Sequence, residues 1–432
     1  MTVPNGKPHS IDLAAIEEKL RGAKGKRFWR GLDELAETPR YREFLHNEFG
    51  DPDIEKASVS RRDLLKLMAA SAAFAGLSGC TKLPTQRIVP YVRQPEEIVP
   101  GKPLFYATAM TLGGVARGLL VESHMGRPTK IEGNPDHPAS LGATTVFEQA
   151  ALLTLYDPDR AQAVTNEGRI ATWDLFLAAL RRARDNHRPG KGAGLSILTE
   201  TVTSPTLGSQ IQGLLAEFPQ AKWYQYEPVN RDAAREGARQ AFGEYLNTVY
   251  RFDRADVILS LDSDFLYNDP GSVRYARQFA NGRDPEMTGG KMNRLYVVES
   301  TPSITGSKAD HRMPLRSADV ESFARAVAVK LGMTPGGSAQ TKVEDAWVAA
   351  LARDLQKNRG RGIVIAGDQQ PPSVHALAHA MNSALGNLGQ TVLLTDPIEV
   401  RPTNEMQSMG ALVEEMAAGR VQTLLIFGSN PV

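Results

Sequence analysis

Cysteine is almost absent from this chain of 432 residues, which contains Cys80 and no other. One thiol cannot form an intramolecular disulfide, a cysteine-rich zinc site or a cysteine-ligated iron–sulfur cluster. An excess of charge is absent too, since 50 basic residues stand against 49 acidic ones. A net charge of +1 provides no global field that would attract nucleic acid or an acidic membrane.

The overall composition is that of a globular protein, with 41% hydrophobic and 23% charged residues. This balance excludes collagen, a coiled coil and a wholly disordered chain. At about 100–200 residues per domain, the length predicts two to four domains with ample core.

The first 59 residues are charged and predict a helical N-terminal extension, with helices over 11–20 and 28–49. Arg61 and Arg62 then precede a short apolar stretch that ends near Leu77. A twin arginine before such a stretch is typical of the Tat export signal. The stretch has about 13 residues, fewer than the ~20 that a membrane-spanning helix needs, so it predicts a signal segment over 60–80.

The signal segment ends in Leu-Ser-Gly before Cys80, which is the pattern of a bacterial lipoprotein cleavage site. Cleavage there would expose the Cys80 thiol for acylation, and two acyl chains give stable membrane anchoring. The other interpretations are a buried structural cysteine or an uncleaved signal. We expect export by the Tat route and a location at the periplasmic face of the inner membrane.

Five prolines between 84 and 103 predict an extended strap, and the strap and a β-rich domain together cover 81–165. Within it, strands at 118–123 and 128–132 flank Gly126 and predict a hairpin.

Beyond Trp173, apolar strand-like runs alternate with amphipathic helical stretches, which predicts βαβ units and a parallel sheet with helices on both faces. The predicted strands are 195–199, 257–261, 294–298, 362–366, 391–394 and 423–427, and the predicted helices include 173–186, 205–217, 231–242, 318–332, 344–357, 373–386 and 406–418.

The segment 332–340 is rich in glycine and serine and predicts a boundary between an α/β domain at 166–332 and a second α/β unit at 341–432. The last predicted strand lies four residues before the end of the chain without the crossover that normally follows it. We therefore expect this second unit to be truncated and the sequence to be a fragment.

No phosphate-binding loop or nucleophile elbow occurs in the right context; the glycine-rich 190–194 precedes a strand and predicts a plain loop. His375 and His379 are one helical turn apart, but they lack a third metal ligand and predict a packed or solvated helix face. Asp262 and Asp264 follow a predicted strand, at the edge where open α/β sheets bind ligands. His137 lies between prolines and favours a structural role.

The segment 126–142, which contains Gly-Arg-Pro-Thr-Lys-Ile-Glu-Gly-Asn-Pro-Asp-His-Pro, resembles the N-terminal domain of molybdopterin oxidoreductases of the dimethyl sulfoxide reductase type. The segments 155–160, 173–174, 255–259, 296–299, 309–311 and 428–431 follow in that superfamily's order. The segments 28–49 and 88–101, with the delayed twin arginine, resemble its Tat-variant-translocated subgroup, the large extracytoplasmic subunit of alternative complex III.

This resemblance implies a dimethyl sulfoxide reductase-like α/β fold, in which a small β-rich domain precedes parallel-sheet, Rossmann-like domains. It also implies membrane quinol-binding subunits and c-type cytochromes as partners, and iron–sulfur clusters in a C-terminal part beyond Val432. The chain departs from the active enzymes in two places. The cluster cysteines are missing at 105–112, and no metal ligand is apparent at 230–234.

The leading hypothesis is therefore a cofactor-free scaffold region of a quinol-oxidising electron-transfer complex, with no catalytic residue, cofactor-binding residue, metal or molybdopterin in this region and no nucleic-acid partner. Two alternatives stay open. One is a molybdopterin-dependent reductase of the polysulfide or dimethyl sulfoxide type with a non-cysteine ligand, and the other is an α/β ligand-binding lipoprotein.

Overall fold

A computed structural model describes residues 96–428, which belong to the second of the chain's two compact units, Gln94–Val432. The predictions made for the N-terminal extension, for Arg61 and Arg62, for Cys80 and for most of the strap therefore lie outside the described residues. From 96 to 103 the chain contains turns and no helix, as the prolines predict.

The described part begins with a three-stranded antiparallel sheet in the order β1-β2-β3. Its strands are β1 (Leu104–Leu112), β2 (Val115–His124) and β3 (Arg127–Gly133). Met125 and Gly126 connect β2 to β3 with φ values of +53° and +78°, the left-handed conformation that two-residue hairpin loops favour. The predicted hairpin is confirmed.

A helix, α1 (Val146–Leu155), follows this sheet, although the sequence pattern of the region predicts β structure. That prediction is wrong for α1 because local capping outweighs strand propensity. Glu148 accepts hydrogen bonds from the Thr145 backbone N–H and hydroxyl at 2.6 and 2.5 Å, which forms a capping box.

Two parallel sheets form the rest of the fold, so the predicted α/β class and the order of a small β-rich layer before parallel sheets are confirmed. The four-stranded sheet has the order β11-β10-β9-β12 and the three-stranded sheet the order β14-β6-β7. Their strands are β6 (Leu195–Thr199), β7 (Lys222–Gln225), β9 (Val257–Leu261), β10 (Arg294–Glu299), β11 (His311–Pro314), β12 (Gly362–Ala366) and β14 (Thr423–Phe427).

The strand predicted at 391–394 is present as β13 (Val392–Thr395), but it pairs antiparallel with β8 (Asn247–Tyr250) in a separate two-stranded sheet. Its expected place in a parallel sheet is therefore wrong. A second small antiparallel pair consists of β4 (Thr165–Asn166) and β5 (Arg169–Ile170).

The helices agree closely with the apolar periodicity that predicts them. The remaining helices are α2 (Trp173–His187), α3 (Pro205–Glu217), α4 (Asp232–Phe242), α5 (Ser272–Asn281), α6 (Pro285–Thr288), α7 (Ile304–Ser307), α8 (Ser317–Lys330), α9 (Asp345–Lys357), α10 (Pro372–Ala384) and α11 (Glu405–Ala417), and Phe252–Arg254 forms a 3₁₀ turn.

The four-stranded sheet lies in the core, and every residue of β9 and β12 is buried. One face of this sheet packs with Phe323, Val327 and Leu351 of α8 and α9, and the other packs with Phe252, Phe265 and Phe279. Helices on both faces explain why the strands are continuous apolar runs without alternation.

Each parallel sheet contains strands from both sides of the glycine-rich segment 332–340. β12 pairs with β9, and β14 pairs with β6 in register Thr423 to Leu195. The division at 332–341 remains a prediction about domains, whereas hydrogen bonding joins the two predicted units within both sheets.

Candidate functional site

A crevice of about 540 Å³ lies outside the carboxyl ends of β9, β10 and β12. The chain runs from β9 to β10 and β11 on one side of the sheet and then returns to β12 on the other side of β9. The carboxyl end of β9 is therefore a topological switch point, where the loops separate and leave room for a ligand. The sequence places Asp262 and Asp264 at this edge, and both line the crevice.

Asp262 occupies the position directly after β9 with a φ of +56°, a conformation that is uncommon for residues other than glycine. Its carboxylate accepts hydrogen bonds from the Ser300 N–H at 2.8 Å, the Ser300 hydroxyl at 3.0 Å and Gln370 Nε2 at 2.8 Å. Gly367 is required beside it, because a Cβ at that position would lie 2.0 Å from the Asp262 carbonyl oxygen. Asp262 thus joins the loops that follow all three strands.

Asp264 and Glu299 hold the loop that leads into α7. Asp264 accepts hydrogen bonds from the Thr305 N–H at 2.9 Å and the Thr305 hydroxyl at 2.7 Å. Glu299, which is 3% exposed, pairs with Arg312 and accepts a hydrogen bond from the Ser303 hydroxyl at 2.5 Å. These carboxylates have structural partners at the point where a ligand would enter.

A third pair of acidic groups lies where the crevice approaches α4. The Arg231 guanidinium donates to Asp368 at 3.2 Å, and burial raises the pKa of Asp269, against the opposing effect of Arg231. The nearby carboxylate of Asp368 raises the pKa of Asp269 further, because like charges disfavour ionisation.

The lining of the crevice is therefore acidic. Five carboxyl side chains contribute to it, and the described residues that line it include no lysine or arginine; the five are Asp262, Asp264, Asp269, Glu299 and Asp368. Such a lining accepts hydrogen bonds from hydroxyl and amino groups and repels phosphate. The sequence pattern missed Glu299, Asp269 and Asp368, although Glu299 ends a predicted strand and Asp368 follows another by two residues.

His375 and His379 lie on the buried face of α10, only 6% and 5% exposed. They line a small cavity of about 30 Å³ together with Arg231, Arg235 and Tyr250, enough room for a water molecule. His375 Nε2 and His379 Nδ1 face no hydrogen-bond partner in the protein. Burial lowers the pKa of both rings to about 4, which keeps them neutral at pH 7.

Among residues 96–428, no group of three or more histidine, cysteine or acidic side chains is arranged to hold a metal ion. The two histidines thus lie on a packed helix face, one of the two placements that their spacing predicts. His137 is also packed, since its ring lies against Gly118 and its Nδ1 accepts the Ala139 N–H at 3.2 Å. The glycine-rich 190–194 forms a loop before β6.

Within the same part of the chain, no helix is both long and apolar enough to cross a membrane. Arg61, Arg62 and Cys80, the residues predicted for export and lipid attachment, lie outside these bounds, and their roles stay predictions.

Comparison with known proteins gives distant structural likenesses only. No protein-family model matches the chain, and no curated protein matches it. The acetylene hydratase of Pelobacter acetylenicus is similar over 71% of this chain, at 12% identity and a TM-score of 0.47. The formyltransferase/hydrolase complex of Methylorubrum extorquens, solved with methylofuran, is similar over 49% of it, at 16% identity and a TM-score of 0.33. The chain spans about half of these structures, 47% of the first and 54% of the second.

Proposed function

We propose that this chain is a cofactor-free structural region of a molybdopterin-oxidoreductase-like subunit, in a membrane-attached complex that oxidises quinol and transfers electrons. In this proposal the region holds cluster-bearing and cytochrome partners in position and carries no electron itself. The single observation that carries it is the acidic lining of the crevice at the carboxyl ends of β9, β10 and β12.

A pterin cofactor of the dimethyl sulfoxide reductase type carries phosphate groups, and proteins bind phosphate with backbone N–H groups, lysine and arginine. Here the lining carboxylates point to the opposite charge preference, and the Ser300 and Thr305 N–H groups already donate to Asp262 and Asp264. The residues present therefore do not fit such a cofactor.

The segment where the resemblance places the metal ligand supports the same proposal. Asn230 bonds to the Glu227 carbonyl and the Asp232 N–H, and Arg231 pairs with Asp368. The Asp232 carboxylate accepts the Glu405 N–H at 2.9 Å, at the start of α11. Each polar side chain here has a structural partner, and a guanidinium cannot ligate a metal.

The proposal is tested by metal analysis of purified 1–432 and by pterin fluorescence after acid oxidation. We expect neither molybdenum nor iron in stoichiometric amount and no pterin signal. A stoichiometric pterin signal would instead favour the reductase alternative, with a non-cysteine ligand.

A binding experiment tests the electrostatic reason directly. Guanosine diphosphate should not bind the wild-type chain in calorimetry, because its phosphates would face five carboxylates. Asp269→Asn/Asp368→Asn removes two of these charges and should raise the affinity, whereas Asp284→Asn/Asp396→Asn, which lies outside the lining, should not. Tight binding by the wild type would contradict the proposal.

The role in an electron-transfer complex depends on the rest of the gene. An open reading frame beyond codon 432 that is rich in Cys-x-x-Cys-x-x-Cys would support the complex. A stop codon at that position would instead support the second candidate, a ligand-binding α/β lipoprotein. The volume of the crevice favours that candidate, since small-molecule pockets commonly measure about 300–1,000 Å³. Mass spectrometry of molecules released on denaturation would identify such a ligand.

A further inference from the structure

The first two turns of α2 carry an apolar stripe that faces solvent. Trp173, Phe176 and Leu180 are 61%, 45% and 38% exposed. At 100° per residue, these three side chains lie within about 60° of one another on the helix. The Trp173 and Phe176 rings contact each other with centroids 5.0 Å apart. Ile170, just before the helix, is 84% exposed.

The other end of α2 is fixed to the protein. His187 is buried, its Nδ1 lies 3.0 Å from the Ala193 carbonyl oxygen and its Nε2 lies 2.9 Å from the Thr423 hydroxyl. The helix is thus anchored at its C-terminal end, while Trp173 to Phe176 are exposed on every side. Solvent exposure of four large apolar side chains in eleven residues is costly and marks an interaction surface.

Charge around the stripe is positive, although the chain as a whole is nearly neutral. Residues 160–191 contain seven basic and three acidic side chains. Arg184 follows Leu180 by one helical turn, and Arg181 follows Leu177 in the same way, so arginines border the stripe. Asp174 and Asp185 lie at least 100° away from all three stripe residues. Arg181 and Arg182 have no ion-pair partner among the described residues.

We propose that α2 is an interfacial helix that inserts Trp173, Phe176 and Leu180 into the headgroup region of an anionic lipid bilayer. Basic amphipathic helices with aromatic and leucine side chains on one face bind this way, parallel to the membrane. A lipid interface accommodates a protruding helix without a shape-matched groove, which is the geometry that α2 presents. The proposal stands apart from the electron-transfer function and from acylation of Cys80.

The test uses the full chain 1–432 with Cys80→Ser, which removes any acyl anchor. Sedimentation with vesicles of phosphatidylcholine and phosphatidylglycerol should give stronger binding than phosphatidylcholine alone. Arg181→Gln/Arg184→Gln should weaken binding about 30-fold, since each arginine near an anionic surface contributes about fivefold. The matched control Arg277→Gln/Arg353→Gln removes the same charge from exposed positions on α5 and α9 and should bind like the parent.

Depth of insertion gives a second, independent readout. Brominated lipid should quench tryptophan fluorescence in the parent, and Trp173→Phe should remove that quenching while most of the binding remains. Equal binding by the two arginine double variants would overturn the proposal, because the N-terminal apolar segment is present in both. Absence of Trp173 quenching would overturn it too, as would burial of Trp173 by self-association or by a protein partner instead of lipid.

Discussion

The two buried histidines of α10 should make the stability of this protein depend on pH. His375 packs so closely on α4 that a Cβ at Gly237 would lie 2.3 Å from its own Cβ. His379 contacts the Phe242 ring edge-on at 5.1 Å between centroids. Neither ring can be protonated in place without putting a charge into this packed interface beside Arg231 and Arg235.

The magnitude follows from the separation between the folded and unfolded pKa values. Burial lowers the pKa of each ring from 6.5 to about 4, with Asp368 opposing and Arg231 assisting at His375. Because the folded pKa is the lower one, the stabilisation is complete above about pH 6.5 and is lost as the pH falls toward 4. From pH 7 to pH 5 each ring should cost about 2 kcal/mol, so the pair should cost up to ~4 kcal/mol.

The assay is urea denaturation followed by tryptophan fluorescence at pH 7 and pH 5. The variant His375→Gln/His379→Gln should lose less stability over this interval than the wild type, by most of that amount. Burial raises the pKa of Glu227 and of Asp269, which acts in the opposite direction, but both groups are present in wild type and variant. Leu377→Met on the same helix is the packing control and should lower stability equally at both pH values. If the double variant loses as much stability as the wild type, the reasoning from burial is wrong.

Two further predictions concern packing between distant segments. Arg117→Met should destabilise the fold by about 3–5 kcal/mol in urea denaturation, because it leaves Glu148, fully buried and 2.6 Å from Arg117, without its cation; the double variant Arg117→Met/Glu148→Leu should recover much of this, and an unchanged stability of the single variant would contradict it. Gly237→Ala should cost about 1–3 kcal/mol in thermal unfolding, because its methyl group would clash with His375 and the Pro372 carbonyl, whereas Gly213→Ala, with open space around it on α3, should stabilise by up to ~1 kcal/mol; equal effects would show that α4 and α10 can separate at little cost.

The crevice shows which part of a site a sequence can reveal. Asp262 and Asp264 are identifiable because they follow Val-Ile-Leu-Ser-Leu, an apolar run whose burial on both faces predicts a central parallel strand. Arg231 and Asp368 are 137 positions apart, and nothing local predicts that they pair. The acidic character of the crevice is likewise a property of three loops brought together by strand order.

The same distinction applies to the helices. Apolar periodicity and capping determine α2 and α3 almost to the residue, since those signals act within one or two turns. Helix α1 cannot be located from such local signals alone, because its capping Glu148 is held by Arg117, 31 residues earlier, across a packed interface.

The spacing of His375 and His379 by itself determines that both rings share one face of a helix. Only the tertiary structure decides that this face packs against α4 and excludes water. That decision changes their chemistry, because removal of solvent penalises the charged form of imidazole whatever the local sequence is. Cys80 and the twin arginine are the reverse case, since a peptidase or translocase reads such signals from a short stretch of sequence, with no fold required.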